Sequence, residues 1–227
     1  MKQKTKKSKT NGFETVIESA SNKNAVTAAK RVAAGPVDDK LNPLVLVGPS
    51  GSGKTRILNA IAVEVASLQD GRMVMSTTGR RILEYYVNAL KYGDVSHFRD
   101  RFKMVDVLII DGAETFEKGQ ILADEVLGIV DALIENGGQI VIAVSKPLRA
   151  LKKANEKLYG RIVSSATIGL DYPDEVARLR YIKLYLSAKK ATLPDSMIKD
   201  ILNSSAKSFW EIKGAVCTAL CEKQRKR

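Results

Sequence analysis

A glycine-rich run carries the clearest chemical signal in this sequence of 227 residues. The run consists of Gly48, Pro49, Ser50, Gly51, Ser52, Gly53, Lys54 and Thr55. It matches the pattern G-x-x-x-x-G-K-[ST] at every fixed position, and its glycines let backbone N–H groups surround a phosphate. We expect Lys54 to reach the β- and γ-phosphates of ATP or ADP, Thr55 to ligate Mg²⁺, and Arg56 to belong to the same site. The alternative is a glycine-rich connection that binds nothing.

An aspartate at the end of an apolar run is the second chemical signal. The run at 107–110 leads directly to Asp111, which follows Thr55 by 56 residues. A carboxylate at the C-terminal end of a buried parallel strand faces the crevice in which ligands bind. We therefore expect Asp111 to share the Mg²⁺ ion with Thr55 and to act in catalysis. An aspartate that only caps a turn is the alternative.

The elements that must position these residues alternate between short apolar runs and helical patterns. We predict strands at 44–47, 73–76, 105–111, 139–145 and 166–170. Helices are predicted at 54–68, 79–91, 95–103 and 121–135, with a further weak helix through residue 158. This alternation predicts an α/β fold of the P-loop NTPase class, with a five-stranded parallel sheet covered by helices on both faces.

The domain organisation follows from where the strands stop. We predict a basic flexible tail at 1–12, a nucleotide-binding domain at 13–171 and a small all-helical lid domain at 172–227. Residues 1–10 contain five lysines and no acid, and residues 222–227 contain four basic residues and one acid, within a net charge of +12. Such ends suit nucleic acid phosphates, whereas a solubility tail is the alternative.

The composition excludes several classes of protein. With 44% hydrophobic residues, the chain can bury a core, which excludes a wholly disordered protein. No apolar run reaches the roughly 18 residues of a membrane span, and no apolar segment typical of a secretory signal follows the N-terminal lysines. We therefore expect a cytoplasmic protein without a membrane partner. One histidine and two cysteines exclude a multi-histidine metal site and a disulfide scaffold.

Six stretches together resemble the AAA+ ATPase domain of the bacterial replication initiator DnaA family. They are 13–22 (FETVIESASN), 42–55 (NPLVLVGPSGSGKT), 86–90 (YVNAL), 105–111 (VDVLIID), 139–142 (QIVI) and 210–216 (WEIKGAV). Their order and spacing extend over nearly the full chain. The resemblance implies a five-stranded parallel sheet followed by a three-helix lid, with ATP between them. It also implies side-by-side assembly with the nucleotide at the contact between subunits.

The positions that serve ATP hydrolysis in the family differ here. The second acid of the Walker B motif, which orients the attacking water, falls on Gly112. The sensor 1 acid falls on Ser145, and the sensor 2 arginine of the lid falls on Trp210. The arginine finger, which acts on a neighbour's nucleotide, is retained as Arg161. The resemblance therefore implies that the residues that bind ATP are present and that several residues that promote its hydrolysis are lost. Glu114 could replace the missing acid only if the loop after Asp111 follows a different path.

The two predicted helices between the second and third strands resemble the family's initiator-specific insertion, which contacts single-stranded DNA. Their basic residues are Arg80, Arg81, Lys91, Arg99, Arg101 and Lys103. Such side chains could follow a phosphate backbone without reading bases. A solvated face balanced by nearby acids explains them equally well. Because the chain stops at Arg227, we expect the family's C-terminal duplex-binding domain, and with it sequence-specific reading, to be missing.

Three functions remain open from the sequence alone. The first is a DnaA-like protein in the initiation or regulation of DNA replication. It would assemble with itself or with a full-length initiator when ATP is bound, with weak or absent hydrolysis. The second is a helicase loader, which the short segment before Phe13 disfavours because loaders carry an N-terminal domain there. The third is a P-loop kinase, supported only by Arg178 and Arg180 on the predicted lid.

Overall fold

The computed structural model describes residues 12–68 and 71–225, so that most of the basic tail at 1–12 lies outside the described residues. The strands are β1 (Leu44–Val47), β2 (Val74–Thr78), β3 (Val107–Asp111), β4 (Gln139–Val144) and β5 (Thr167–Gly169). The helices are α1 (Lys23–Ala34), α2 (Lys54–Ser67), α3 (Gly79–Tyr92), α4 (Val95–Lys103), α5 (Gln120–Glu135), α6 (Arg149–Ala154), α7 (Glu156–Val163), α8 (Glu175–Ala188), α9 (Asp195–Asn203) and α10 (Phe209–Arg225). Short 3-10 helices span Phe13–Thr15, Asp39–Leu41 and Ala113–Lys118. None of the helices in this part of the chain is both long and apolar enough to cross a bilayer.

The five strands form one parallel sheet in the order β2-β3-β4-β1-β5, which confirms the predicted α/β fold. The carboxyl ends of parallel strands meet at one edge of the sheet. At that edge the register pairs Asp111 with Thr78 on one side and with Ala143 on the other. The loop after β1 and the end of β3 therefore open into the same crevice.

Alternating strand residues build two separate cores, one on each face of the sheet. Leu108 and Ile110 point toward the core that includes residues of α3 to α7. Val107 and Ile109 point to the opposite face, where α1 and α2 pack. Successive side chains of a strand alternate in this way, so a fully apolar strand is buried on both sides.

The last three helices, α8, α9 and α10, pack around an apolar cluster of their own. Its buried residues are Ile182, Leu186, Leu193, Ile201, Ile212, Val216 and Ala219. Asp174 caps α8 by accepting a hydrogen bond from the Ala177 backbone N–H at 2.8 Å, which holds the pKa of this carboxyl below its usual value. A separate core is what a lid domain would have, and the boundary at residue 172 stays a prediction.

Local hydrogen bonds explain where the elements differ from the predicted bounds. The strand expected at 105–111 begins only at Val107, because the Val105 N–H completes the turn after α4 by donating to the Phe102 carbonyl. The weak helix expected through residue 158 is two helices, α6 and α7. Asn155 separates them, since its side-chain oxygen caps α7 by accepting from the Leu158 N–H at 2.7 Å.

Candidate nucleotide site

Three glycines shape the loop between β1 and α2. Gly51 and Gly53 have φ angles of 79° and 104°, in the left-handed region that other residues rarely adopt. Gly48 lies so close to Leu170 that a Cβ atom at this position would collide with the Leu170 carbonyl oxygen. The loop therefore follows a backbone path that side chains at these three positions would obstruct. It ends at Lys54, which is the first residue of α2.

The remaining loop residues offer polar groups at the start of a helix. Ser52 is buried, and its hydroxyl oxygen has no hydrogen-bond partner within the described residues. Pro49 is half-buried, whereas Ser50 and Arg56 are exposed. Buried hydroxyls are normally paired, so the Ser52 hydroxyl fits a loop whose hydrogen bonds a ligand would complete. The N-terminus of α2 adds partial positive charge, which suits an anion.

Lys54 is held inside the loop. Its ammonium donates to the Gly48 carbonyl oxygen at 2.6 Å and to the Pro49 carbonyl oxygen at 2.9 Å. Burial lowers the pKa of Lys54, while the charges of Asp111 and Glu114 oppose that shift. A buried cation gains from an anion placed next to it, so this geometry suits a phosphate.

Thr55 and Asp111 meet as the sequence predicts. The Thr55 hydroxyl, on the first turn of α2, donates to the Asp111 carboxylate at the end of β3 over 2.6 Å. Hydroxyl and carboxylate oxygens are ligands that Mg²⁺ accepts. No group of three or more His, Cys, Asp and Glu residues among residues 12–68 and 71–225 could hold a metal. A pair of donors fits Mg²⁺, which takes its other ligands from water and nucleotide phosphates.

The segment after β3 brings a second acid back to the site. Gly112 has a φ of 72°, and this left-handed turn leads into the 3-10 helix Ala113–Lys118. Within that helix, a Glu114 carboxylate oxygen accepts a hydrogen bond from the Ser145 backbone N–H at 3.4 Å. The charge of Glu114 also acts on Lys54. The turn at Gly112 and the 3-10 helix therefore bring the Glu114 carboxylate next to the Ser145 backbone, and a role of Glu114 in hydrolysis stays a prediction.

The lid contacts the loop through the start of α10. The Phe209 backbone N–H donates to the Gly51 carbonyl oxygen at 3.1 Å. A Cβ atom on Gly51 would lie 2.6 Å from Ser208 and 2.7 Å from the Trp210 ring, so both side chains border the loop. Glu211 caps the helix by accepting from the Ser208 N–H at 2.8 Å. Ser208 and Phe209 were not predicted as site residues from the sequence. The S-x-x-E pattern from Ser208 to Glu211 is typical of a helix start and could have indicated them.

Arg161 lies on α7, apart from the residues of the loop. Its Nε donates to Asp131 on α5 at 2.6 Å. Within the described part of the chain, no hydrogen bond or ion pair joins Arg161 to the phosphate loop or to Asp111. The structure therefore does not bring Arg161 together with Lys54, Thr55 and Asp111. A residue that acts on the nucleotide of a neighbouring subunit would be separated from its own site in the same way.

Comparison with known proteins decides the family. A family model of the bacterial DnaA ATPase domain matches residues 7–169. This chain belongs to that DnaA family. The chromosomal replication initiator protein DnaA of Chlorobaculum tepidum is 26% identical over 208 residues, which cover 92% of this chain. The chain spans 42% of that relative's length and 45% of the length of Geobacter sulfurreducens DnaA.

Solved DnaA structures share the fold over most of the chain. Domain III of Thermotoga maritima DnaA has a TM-score of 0.86 at 26% identity, and the match covers 95% of this chain and 90% of that one. A DnaA replication initiator bound to AMPPCP and single-stranded DNA has a TM-score of 0.82 at 24% identity, covering 95% and 68%. The AAA+ architecture implied by the sequence resemblance is thereby confirmed.

Three of the six basic residues on α3 and α4 of this DnaA-family chain are paired with carboxylates. Arg99 on α4 donates to both carboxylate oxygens of Glu125 on α5, at 2.6 and 2.8 Å. The other two pairs are Arg80 with Glu84, at 2.9 Å, and Lys103 with Asp100, at 2.6 Å. These three pairs favour the alternative to DNA contact, in which the charged side chains form a solvent-exposed surface balanced by nearby acids.

Two of the three remaining basic residues, Arg81 and Arg101, are arginines that have no carboxylate partner among the residues that the structure describes. Arg81 is exposed on the first turn of α3. The Arg101 guanidinium lies over the Tyr85 ring, 4.5 Å from its centroid. Arg101 and Tyr85 line an opening of about 280 Å³ between α3 and α4, together with Tyr92. Both arginines are therefore free to meet a phosphate.

Proposed function

We propose that this DnaA-family chain binds ATP or ADP with Mg²⁺ and acts in the initiation or regulation of DNA replication. In this proposal it is a nucleotide-dependent assembly module that associates with itself or with a full-length initiator. It hydrolyses ATP weakly or not at all, and it contacts DNA without reading sequence. The family membership gives no support to a helicase loader or to a P-loop kinase.

One observation carries the proposal: Lys54, Thr55 and Asp111 lie together at the ligand-binding edge of an AAA+ sheet. Lys54 supplies a buried cation for the phosphates, and the contact between Thr55 and Asp111 supplies two oxygen donors for Mg²⁺. The buried Ser52 hydroxyl has no hydrogen-bond partner in the described chain, so it is available to a ligand in the loop. AMPPCP, an ATP analogue, is bound in the solved DnaA with the same fold.

The assembly component of the proposal predicts ATP-dependent association that needs Arg161. An arginine next to a neighbour's γ-phosphate forms a charge-assisted contact that exists only when ATP is bound. We expect sedimentation velocity to detect larger species of the wild type with ATP and Mg²⁺, and little association with ADP. In Arg161→Ala we expect association at least about tenfold weaker.

Arg149→Ala is the matched control, because it removes an exposed arginine on α6 that has no side-chain partner in the described residues. We expect it to associate as the wild type does. Wild-type protein that stays monomeric with ATP, alone and with a full-length initiator, would contradict the assembly component. ATP affinity should be equal in all three proteins, because Arg161 does not touch its own loop.

The DNA component predicts that the unpaired arginines carry any contact with single strands. Because Arg81 and Arg101 have no carboxylate partner in the described chain, charge reversal there should cost more than at Arg80, which Glu84 already neutralises. For Arg81→Glu and Arg101→Glu, we expect the slope of log affinity against log salt to fall by about 0.7 per lost phosphate contact. Fluorescence anisotropy with labelled single strands of mixed sequence measures this slope.

Arg149→Glu separates a local contact from a general charge effect, since it makes the same charge change on α6. We expect Arg149→Glu and Arg80→Glu to bind single strands nearly as the wild type does. Equal losses in all four variants would mean that only net charge matters. In that case α3 and α4 would be a solvated surface.

A further inference from the structure

The ion pair between Arg161 and Asp131 leaves most of the guanidinium free. Nε of Arg161 donates to one carboxylate oxygen of Asp131 at 2.6 Å. Within residues 12–68 and 71–225, neither terminal nitrogen of Arg161 donates a hydrogen bond. The side chains of Arg161 and Asp131 are 45% and 33% exposed, so the pair lies at the surface. The two terminal NH₂ groups can therefore meet an incoming anion.

The pair forms one wall of an open pocket of about 340 Å³ between α5 and α7. The lining residues are Leu127, Asp131, Lys157, Gly160, Arg161 and Ser164. Lys157, Gly160 and Arg161 share one face of α7, and Ser164 directly follows that helix. On α5, Leu127 and Asp131 lie one helical turn apart and line the opposite side of the pocket. Lys157 has no carboxylate partner in the described part of the chain. Two cations therefore face one carboxylate, and the pocket is net positive.

We propose that Asp131 is a positioning residue, which holds Arg161 by its Nε and directs the terminal NH₂ groups toward the end phosphate of a nucleotide bound by a second copy of this chain. The inference rests on the proposed ATP-dependent assembly. Arginine binds phosphate through two parallel N–H groups, and that geometry needs a fixed guanidinium plane. Holding the plane in advance removes part of the entropy cost of association.

The contact between Arg161 and Asp131 could also have the opposite role and inhibit assembly. A carboxylate next to Arg161 lowers the local positive potential, and an ion pair that had to break on association would oppose it. The single bond through Nε makes positioning the better explanation, because phosphate contact through the terminal nitrogens does not require this bond to break. The two roles predict opposite effects of removing the Asp131 charge.

Asp131→Asn tests the positioning role in the full chain. We expect its association with ATP and Mg²⁺ to be about tenfold weaker than in the wild type, with unchanged ATP affinity of the monomer. Glu125→Gln is the matched control, because Glu125 is also on α5 and accepts from an arginine Nε, that of Arg99, at 2.6 Å. It should associate as the wild type does.

A double variant distinguishes positioning from a general role in folding. If Asp131 acts through Arg161, adding Asp131→Asn to Arg161→Ala changes association no further, since the two effects are not additive. Equal or tighter association of Asp131→Asn, or an additional loss in the double variant, would overturn the inference. Wild-type protein that does not associate with ATP would instead contradict the proposed assembly itself, and the inference with it.

Discussion

Lys54→Ala is expected to weaken ATP binding by at least about a hundredfold. Among the charged residues that the structure describes, Lys54 is the one that is buried as a whole residue, with 6% of its surface exposed. Its ammonium already lies within the loop, on the carbonyl oxygens of Gly48 and Pro49. Hydrogen bonds to charged groups stabilise by about 1.5–3 kcal/mol each, so losing contacts to two phosphates removes at least about two factors of ten. Isothermal titration with ATP and Mg²⁺ measures the loss.

Two further variants separate a lost contact from a lost fold. Lys54→Met keeps an unbranched apolar side chain in the buried position and deletes only the ammonium. Lys23→Ala removes an exposed lysine at the start of α1, far from the loop in sequence. We expect Lys54→Met to bind as weakly as Lys54→Ala, and Lys23→Ala to bind as the wild type. Wild-type affinity in a folded Lys54→Met would refute the phosphate-loop assignment.

The arrangement of residues at the candidate nucleotide site could be predicted because its parts are encoded locally. The loop glycines, Lys54 and Thr55 are consecutive, and the strand and helix on either side follow from short patterns. Asp111 needed one inference more, namely that two buried parallel strands end at the same edge of the sheet. The contact of 2.6 Å between Thr55 and Asp111 confirms that inference.

Contacts that depend on the path of the backbone could not be predicted in the same way. Glu114 reaches Ser145 only because Gly112 adopts a positive φ and a 3-10 helix follows. Arg99 is paired with Glu125, 26 residues later, and no local charge pattern indicates that partner. The order of strands in the sheet likewise depends on pairing between distant segments, which periodicity within a segment does not encode.

ATP hydrolysis by the isolated chain is expected to be slow. Protein groups contribute to phosphoryl transfer almost entirely by positioning and charge stabilisation. The family resemblance implies a water-orienting acid, a sensor 1 acid and a lid arginine at three positions where this chain has Gly112, Ser145 and Trp210. Loss of one such group typically costs about a hundredfold in rate, so several losses cost orders of magnitude.

The one tryptophan of the chain reports on this state directly. Trp210 borders the loop at Gly51 and is 67% exposed, so a nucleotide in the loop should change its surroundings. We expect its fluorescence to change when ATP and Mg²⁺ are added and to hold the new value for long periods, because little product forms. Phosphate release, followed in parallel, should stay close to the rate measured for Lys54→Ala.

Gly112→Asp tests whether a missing acid is the reason for slow turnover. The φ of 72° at this position is one that aspartate tolerates better than most residues, and a Cβ there would meet nothing within 4 Å. We expect this variant to release phosphate at least about tenfold faster than the wild type, since it returns a carboxylate to the position that orients water. Rapid release by the wild type, lost in both Lys54→Ala and Glu114→Gln, would contradict this. It would identify Glu114, which already contacts the Ser145 backbone N–H, as a relocated catalytic acid.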